Sequence, residues 1–256
     1  PDDMVLPSYD GYGLANVSPT ILNHFGIQVS APGLAPEMLG EGLKGAQNVV
    51  VLLIDALGYL ALQEQMREDR SLGFHALARM GQFGPLTSIF PSTTAACLST
   101  LHTGLPPVGH GISAYRMYFP DRGFIANMIG LSPETDTRPN QLFRRKGDAA
   151  VLLGVPTVHQ LLKKRGVASY CLIDKNIYES GLSKMLYSGA EVVPFVSASD
   201  LFVQIRKMLA EDVSKPAVIW AYWGLLDTIL HDYGTRQEEA VAEVRLLGSV
   251  LKRELL

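Results

Sequence analysis

Three short stretches of this sequence put reactive side chains where chemistry could use them. In "VVVLLIDALG" a run of β-branched and aliphatic residues ends on Asp55. In "FPSTTAACLSTLHTG" Thr93 and Thr94 stand where an extended segment gives way to a helical pattern. In "AYWGLLDTILHDYG" Asp227 and His231 lie four residues apart, just after another apolar run. A carboxylate at a strand end and an Asp/His pair on one helix face can hold a divalent cation such as zinc. A hydroxyl at a helix start can be activated by that cation and attack phosphorus, while the helix N–H groups hold the phosphoryl oxygens.

Each stretch also has a plainer reading. Asp55 would serve equally well as the N-cap of a following helix. Ser92 or Thr93 would cap the helix after "FPS", which leaves Thr94 spare. An i,i+4 Asp/His pair is commonly a surface hydrogen bond. The ligand reading gains from position: Asp55 and Asp227 each follow a strand-length apolar run, and open α/β sheets bind ligands at the carboxyl ends of their strands.

The elements that must position these residues follow from periodicity. "NVVVLLID", "VASYCLID" and "PAVIWAYW" read as buried strands, and "FGPLTSIF" and "GFIANMIGLS" as further strands. Helices are predicted near 19–25, 57–67 and 72–80, over "STTAACLSTLHTG" with Gly104 as its stop, and over "PTVHQLLKKRG". Two more are predicted over "SASDLFVQIRKMLAED", capped by Ser197 or Ser199, and "RQEEAVAEVRLLGSVLKRELL". Apolar strands alternating with helices define an α/β fold, a mostly parallel central sheet with helices on both faces. It is read as a single domain over 1–256, with 1–47 an irregular lead-in.

Composition narrows the class. The chain has 256 residues, 47% hydrophobic and 18% charged, with net charge −3 and no Lys/Arg run longer than three. That excludes a basic nucleic-acid patch. No apolar run reaches the ~20 residues that span a bilayer. Cys97 and Cys171 sit in apolar surroundings and read as buried free thiols. No leader is visible, which leans slightly to the cytoplasm, but the chain begins at Pro1 without a Met, leaving room for a preceding segment.

Taken in order, "VVVLLIDALG", "FPSTTAACLSTLHTGLPPVGHGI" and "YWGLLDTILHDYG" resemble the three motifs of the type I phosphodiesterase/nucleotide pyrophosphatase family of the alkaline phosphatase superfamily. The similarity runs from about 48 to 234. It implies an alkaline phosphatase-like core and two divalent metal ions, zinc by resemblance, although manganese or iron suits the same ligands. It implies that Asp55 ligates one metal together with Thr94, the nucleophile, and that Asp227 and His231 ligate the other. The implied substrate is a small phosphate ester or nucleotide, cleaved through a phosphothreonine intermediate. His110, in the HGI run, is expected to hold its loop rather than bind metal.

Two departures bear on function. Cys97 stands where the family often has an Asn that donates to a phosphoryl oxygen, and a thiol is a weaker donor. Arg116 falls where the family often has Asn and could supply a replacement charge. The family also completes its site with a later Asp-His-Gly motif and a further His. This chain has no His after His231 and no such motif, so it is expected to be a piece of a longer protein, truncated at the C-terminal side and inactive alone. The competing readings are a degenerate, non-catalytic phospho-ligand binder, and a phosphomonoesterase or phosphonate hydrolase of the same superfamily. A phosphosugar mutase and, less well matched, a sulfatase also share the metal core. The loops over 105–148 and 175–197 would set specificity. Tyr115, Tyr118 and Phe119 could stack a base there or simply pack locally.

Overall fold

The computed structural model describes residues 5–136, 138, 140–144, 152–210 and 215–256. Helices α1 (Val17–His24) and α2 (Pro36–Leu39) precede strand β1 (Asn48–Ile54), which is followed by α3 (Tyr59–Glu68), α4 (Phe74–Met80), α5 (Thr94–Thr103) and α6 (Pro107–His110). Strands β2 (Arg116–Phe119), β3 (Phe124–Asn127) and β4 (Ser132–Pro133) come next, then α7 (Gln141–Arg144), α8 (Val158–Lys164), β5 (Ala168–Asp174), α9 (Gly181–Leu186) and β6 (Glu191–Phe195). The chain continues through α10 (Ala198–Ala210), β7 (Ala217–Trp223), α11 (Leu225–Tyr233) and α12 (Glu238–Glu254). It divides into two compact units.

One unit comprises Glu37–Pro85, Tyr170–Lys175 and Val192–Leu256. Its centre is the sheet β1-β7-β5-β6, in which β1 and β7 run parallel and in register from Asn48 against Ala217 to Ile54 against Trp223. The period of two along each strand decides what each face meets. Val50, Leu52 and Ile54 of β1 join Ile219, Ala221 and Trp223 of β7, with Leu172 and Phe195, against Leu201, Phe202, Ile205, Val244, Leu247 and Leu251 of α10 and α12. Burying each such aliphatic or aromatic side chain contributes about 1.5–3 kcal/mol. The alternate residues Val218, Trp220, Cys171 and Ile173 are buried as well, so the strands read as continuous apolar runs, as parallel strands do.

Two details lock α12 in place. The indole Nε1 of Trp223 donates to Oε1 of the buried Glu243 at 2.8 Å, and burial pushes that carboxyl's pKa up. A Cβ on Gly73 would sit 1.8 Å from the Gly248 carbonyl oxygen, so α4 begins directly against the α12 backbone. Ser197 accepts from the Asp200 N–H at 3.2 Å and starts α10.

The other unit comprises Pro1–Pro36, Leu86–Ser169 and Asn176–Glu191. Helix α5 is its hub, buried from Leu98 through Thr103 and packed by α1, α6, α8 and α9. The Ser18 hydroxyl donates to the Leu101 carbonyl. His102 Nδ1 lies 2.9 Å from His159 Nε2, whose other ring nitrogen lies 2.7 Å from Ser169 Oγ. Tyr187 meets both imidazoles edge-on. Burial lowers the His102 pKa to about 3. It also lowers His159's, with His102 adding to the effect. A small antiparallel sheet, β2-β3-β4, completes the unit.

The predicted strand over "FGPLTSIF" does not form. Thr87 makes a single bridge to Gly13, its N–H donating to Tyr12 and its carbonyl accepting from Leu14. Pro85 and Pro91 leave too short an interval for a ladder. "GFIANMIGLS" extends only to Asn127, because the Asn127 side-chain oxygen accepts from the Ile129 and Gly130 N–H groups and turns the chain. Residues 137, 139 and 145–148 of the predicted specificity loop lie outside the described residues. Among the described residues no helix is long and apolar enough to cross a membrane.

Candidate active site

The register of β1 and β7 brings their carboxyl ends to one level. The Asp55 N–H continues the ladder, donating to the Trp223 carbonyl at 2.9 Å. The chain then leaves the strand abruptly. Ala56 takes a left-handed conformation, φ 62°, which costs a residue with a Cβ roughly 1–2 kcal/mol. Its N–H turns back to Asp55 Oδ1 at 3.0 Å. Helix α3 begins only at Tyr59, with Gly58 at the cap position and no side-chain cap. The N-cap reading of Asp55 is therefore not what the fold uses.

On the neighbouring strand, Gly224 opens α11 directly after β7, putting Asp227 in the first turn and His231 one turn further on the same face. His231 Nε2 is 3.6 Å from Asp227 Oδ2, with the imidazole largely exposed. Burial raises the Asp227 pKa, the Asp55 charge raises it further, and His231 opposes both. The two carboxylates thus repel each other at the sheet edge, beside an imidazole. Position along the sequence did not point to a fourth member. The Tyr222 hydroxyl donates to Asp55 Oδ2 at 2.7 Å. Its signal was the alternation of "AYW", which puts Tyr222 on the same sheet face as Asp55.

The other unit holds Thr94, Cys97 and Arg116. Thr93 is extended and caps α5, its hydroxyl accepting from the Ala96 N–H at 3.4 Å. Thr94 is the first helical residue and takes no part in that cap. Cys97, one turn on, has its sulfur 3.5 Å from Ser88 Oγ. Arg116 does not present a bare charge. Its Nε donates to Glu134 Oε1 at 2.9 Å and its guanidinium lies 5.9 Å from the Tyr115 ring centre. The Tyr115 hydroxyl accepts from Asn127 at 2.7 Å, and Phe119 packs on Phe124. Tyr118 is exposed.

His110 is buried and holds its loop. Its Nδ1 accepts from the Ile112 N–H at 3.1 Å, so Nε2 carries the proton and donates to Thr100 Oγ1 at 3.0 Å. Burial lowers its pKa to about 4 and keeps it neutral.

The donors Asp55, Asp227 and His231 fit a divalent cation in kind: hard carboxylate oxygens whose repulsion a cation would relieve, and an imidazole nitrogen. Their number is short of a full set. Among the described residues no three His, Cys, Asp or Glu side chains are grouped so as to hold a metal ion.

The sequence profile of type I phosphodiesterase / nucleotide pyrophosphatase matches residues 49–253, and the chain belongs to that family. No curated protein matches. Among solved structures, murine ectonucleotide pyrophosphatase / phosphodiesterase 5 aligns at 19% identity and TM-score 0.54, over 80% of this chain and 52% of its own. An inactive variant of that protein in complex with AMP gives TM-score 0.52 at 18% identity, with the same coverage. Phosphonoacetate hydrolase from Sinorhizobium meliloti 1021, in complex with phosphonoacetate, gives TM-score 0.56 at 17% identity, again over 80% and 52%. The chain spans about half the length of these structures.

Proposed function

We propose that this chain carries part of the active site of a cation-dependent hydrolase of phosphodiester or nucleotide pyrophosphate bonds. The observation that carries this reading is the pair Asp55 and Asp227 at adjacent strand ends, where burial and then the Asp55 charge raise the Asp227 pKa beside His231. Membership of the family and the left-handed turn at Ala56 support it, since strained backbone persists chiefly at functional positions.

Thr94 is the nucleophile in this reading. Its oxygen attacks phosphorus, the bond to the leaving alcohol or nucleotide breaks, and water later hydrolyses the phosphothreonine. Thr93 holds the first turn of α5 so that its remaining N–H groups face the phosphoryl oxygens. Asp55 would contribute to holding one divalent cation, and Asp227 with His231 a second. Bound there, the cations supply the positive charge that makes a threonine hydroxyl acidic enough to react near neutral pH.

A module that binds phosphate esters without turning them over is the competing reading, favoured by the short donor set. One comparison separates them. In the full-length protein, with bis(4-nitrophenyl) phosphate and added zinc, the wild type turns over and Thr94→Ala loses at least about a thousand-fold in kcat, with its circular dichroism spectrum unchanged. Turnover retained in Thr94→Ala removes the nucleophile assignment. Binding of AMP by a wild type that shows no turnover establishes the binding module.

A further inference from the structure

We infer that Tyr222 is a positioning residue for the Asp55 carboxylate, an inference that rests on the cation-binding reading above. Register comes first. Tyr222 is the partner of Leu53 across the β1–β7 pair, and side chains two apart along a strand share a face. Tyr222 and Asp55 therefore emerge on the same side, the phenol one residue pair short of the strand end. Its hydroxyl donates across this gap to Asp55 Oδ2 at 2.7 Å. The other oxygen, Oδ1, accepts from the Ala56 N–H at 3.0 Å. With both oxygens held, the plane of the carboxylate is fixed and its remaining lone pairs have set directions.

The fold makes room for this contact. A Cβ on Gly224 would lie 3.0 Å from Tyr222 Cε1, 3.1 Å from its hydroxyl oxygen and 3.2 Å from Cζ. Gly224 has φ −99° and ψ −7°, which any residue adopts, so no backbone requirement explains a glycine there. The space its missing side chain leaves is the space the phenol occupies. A hydroxyl donor on Oδ2 also withdraws charge from the carboxylate that repels Asp227. Groups that hydrogen-bond a ligating carboxylate fix its aim, and removing one costs about 10–100-fold in cation affinity.

The test uses Tyr222→Phe, which keeps the ring, and Gly224→Ala, which keeps the hydroxyl and moves it. Crystal structures of wild type and Tyr222→Phe report the Asp55 carboxylate directly. It holds one orientation in the wild type and turns about its Cβ–Cγ bond, or splits into two conformers, in the variant. Titration with manganese then gives an affinity about 10-fold or more weaker in both variants. In an Asp55→Ala background Tyr222→Phe has no further effect, which a purely structural tyrosine would not reproduce. An unmoved carboxylate in Tyr222→Phe overturns the inference, as does equal manganese affinity in Tyr222→Phe and wild type. A wild type that binds no manganese overturns the cation reading instead, and the carboxylate's orientation then decides the role of Tyr222 alone.

Discussion

A buried pair of histidines and a single exposed one have opposite fates in this chain. His102 and His159 face each other inside one unit, 2.9 Å apart, with Ser169 and Tyr187 around them and no water access. His231 stands largely exposed on α11 in the other unit, its nearest acidic neighbour Asp227 at 3.6 Å. The buried imidazoles are kept neutral by desolvation and spend their nitrogens on each other. They join α5 to α8 and the start of β5. The exposed one keeps a nitrogen turned toward a carboxylate that already feels a second carboxylate. Residue type is the same in both places. What differs is whether the surroundings supply closed hydrogen bonds or leave charge uncompensated, and only the second arrangement offers a ligand something to do.

The comparison breaks most readily by exchanging roles. His102→Phe strands a buried imidazole nitrogen of His159, and is expected to cost about 2–3 kcal/mol in urea unfolding, with per-molecule cation affinity intact. His231→Ala should leave the unfolding midpoint within about 0.5 kcal/mol of wild type and weaken manganese binding instead. If both variants lose stability equally, the contrast is wrong.

Acid sharpens it. His102 and His110 have folded pKa values near 3 and 4, against 6.5 for a free imidazole, and His159 is lowered too. Below pH 6.5 the unfolded chain takes up protons these folded groups refuse, so their contribution is full above 6.5 and falls as the pH drops toward 4. The slope approaches about 1.4 kcal/mol per pH unit for each group. Stability measured by urea at pH 7, 6 and 5 should decline accordingly, and less steeply in His102→Phe. A flat profile would count against buried neutral histidines.

Glu243 gives a smaller effect of opposite sign. Its raised pKa means that the folded state holds a proton the unfolded state releases. Stability is therefore lost as pH rises from 4.5 through the folded pKa. Glu243→Gln keeps an acceptor for Trp223 and removes the charge, so its melting temperature should exceed wild type at pH 7 and converge with it at pH 4. The smallest change is Ala56→Gly, expected to gain up to about 1 kcal/mol by relieving the left-handed turn. A loss there would mean the Ala56 methyl group packs usefully.

Much of this was legible in residues and their spacing. The apolar runs ending at Ile54 and Trp223 announced a buried parallel pair, with Asp55 and Asp227 just beyond its carboxyl end. Helix α5 was readable from Thr93 and Gly104, a cap and a left-handed stop. Other elements hid for physical reasons. β6 contains Pro194, which reads as a break but is tolerated because the strand lies at the sheet's edge. β2 is four residues joined to β3 by the turn Pro120–Gly123, too short for a periodic signal. Arg116 looked like a spare charge until Glu134, eighteen residues away, came alongside it. The alternation of "AYW" gave the face on which Tyr222 emerges, but its contact with Asp55 depends on cross-strand register, which no single segment encodes.

The meeting of Gly73 with Gly248 carries a warning for anyone mapping this protein by random substitution. With only 1.8 Å between a hypothetical methyl at position 73 and the opposing carbonyl, every side chain there would prise two helices apart. A survival screen should therefore show position 73 as barren as position 94, one for want of room and the other, on the function proposed above, for want of a nucleophile. Intolerance alone will not tell a hinge pin from a blade.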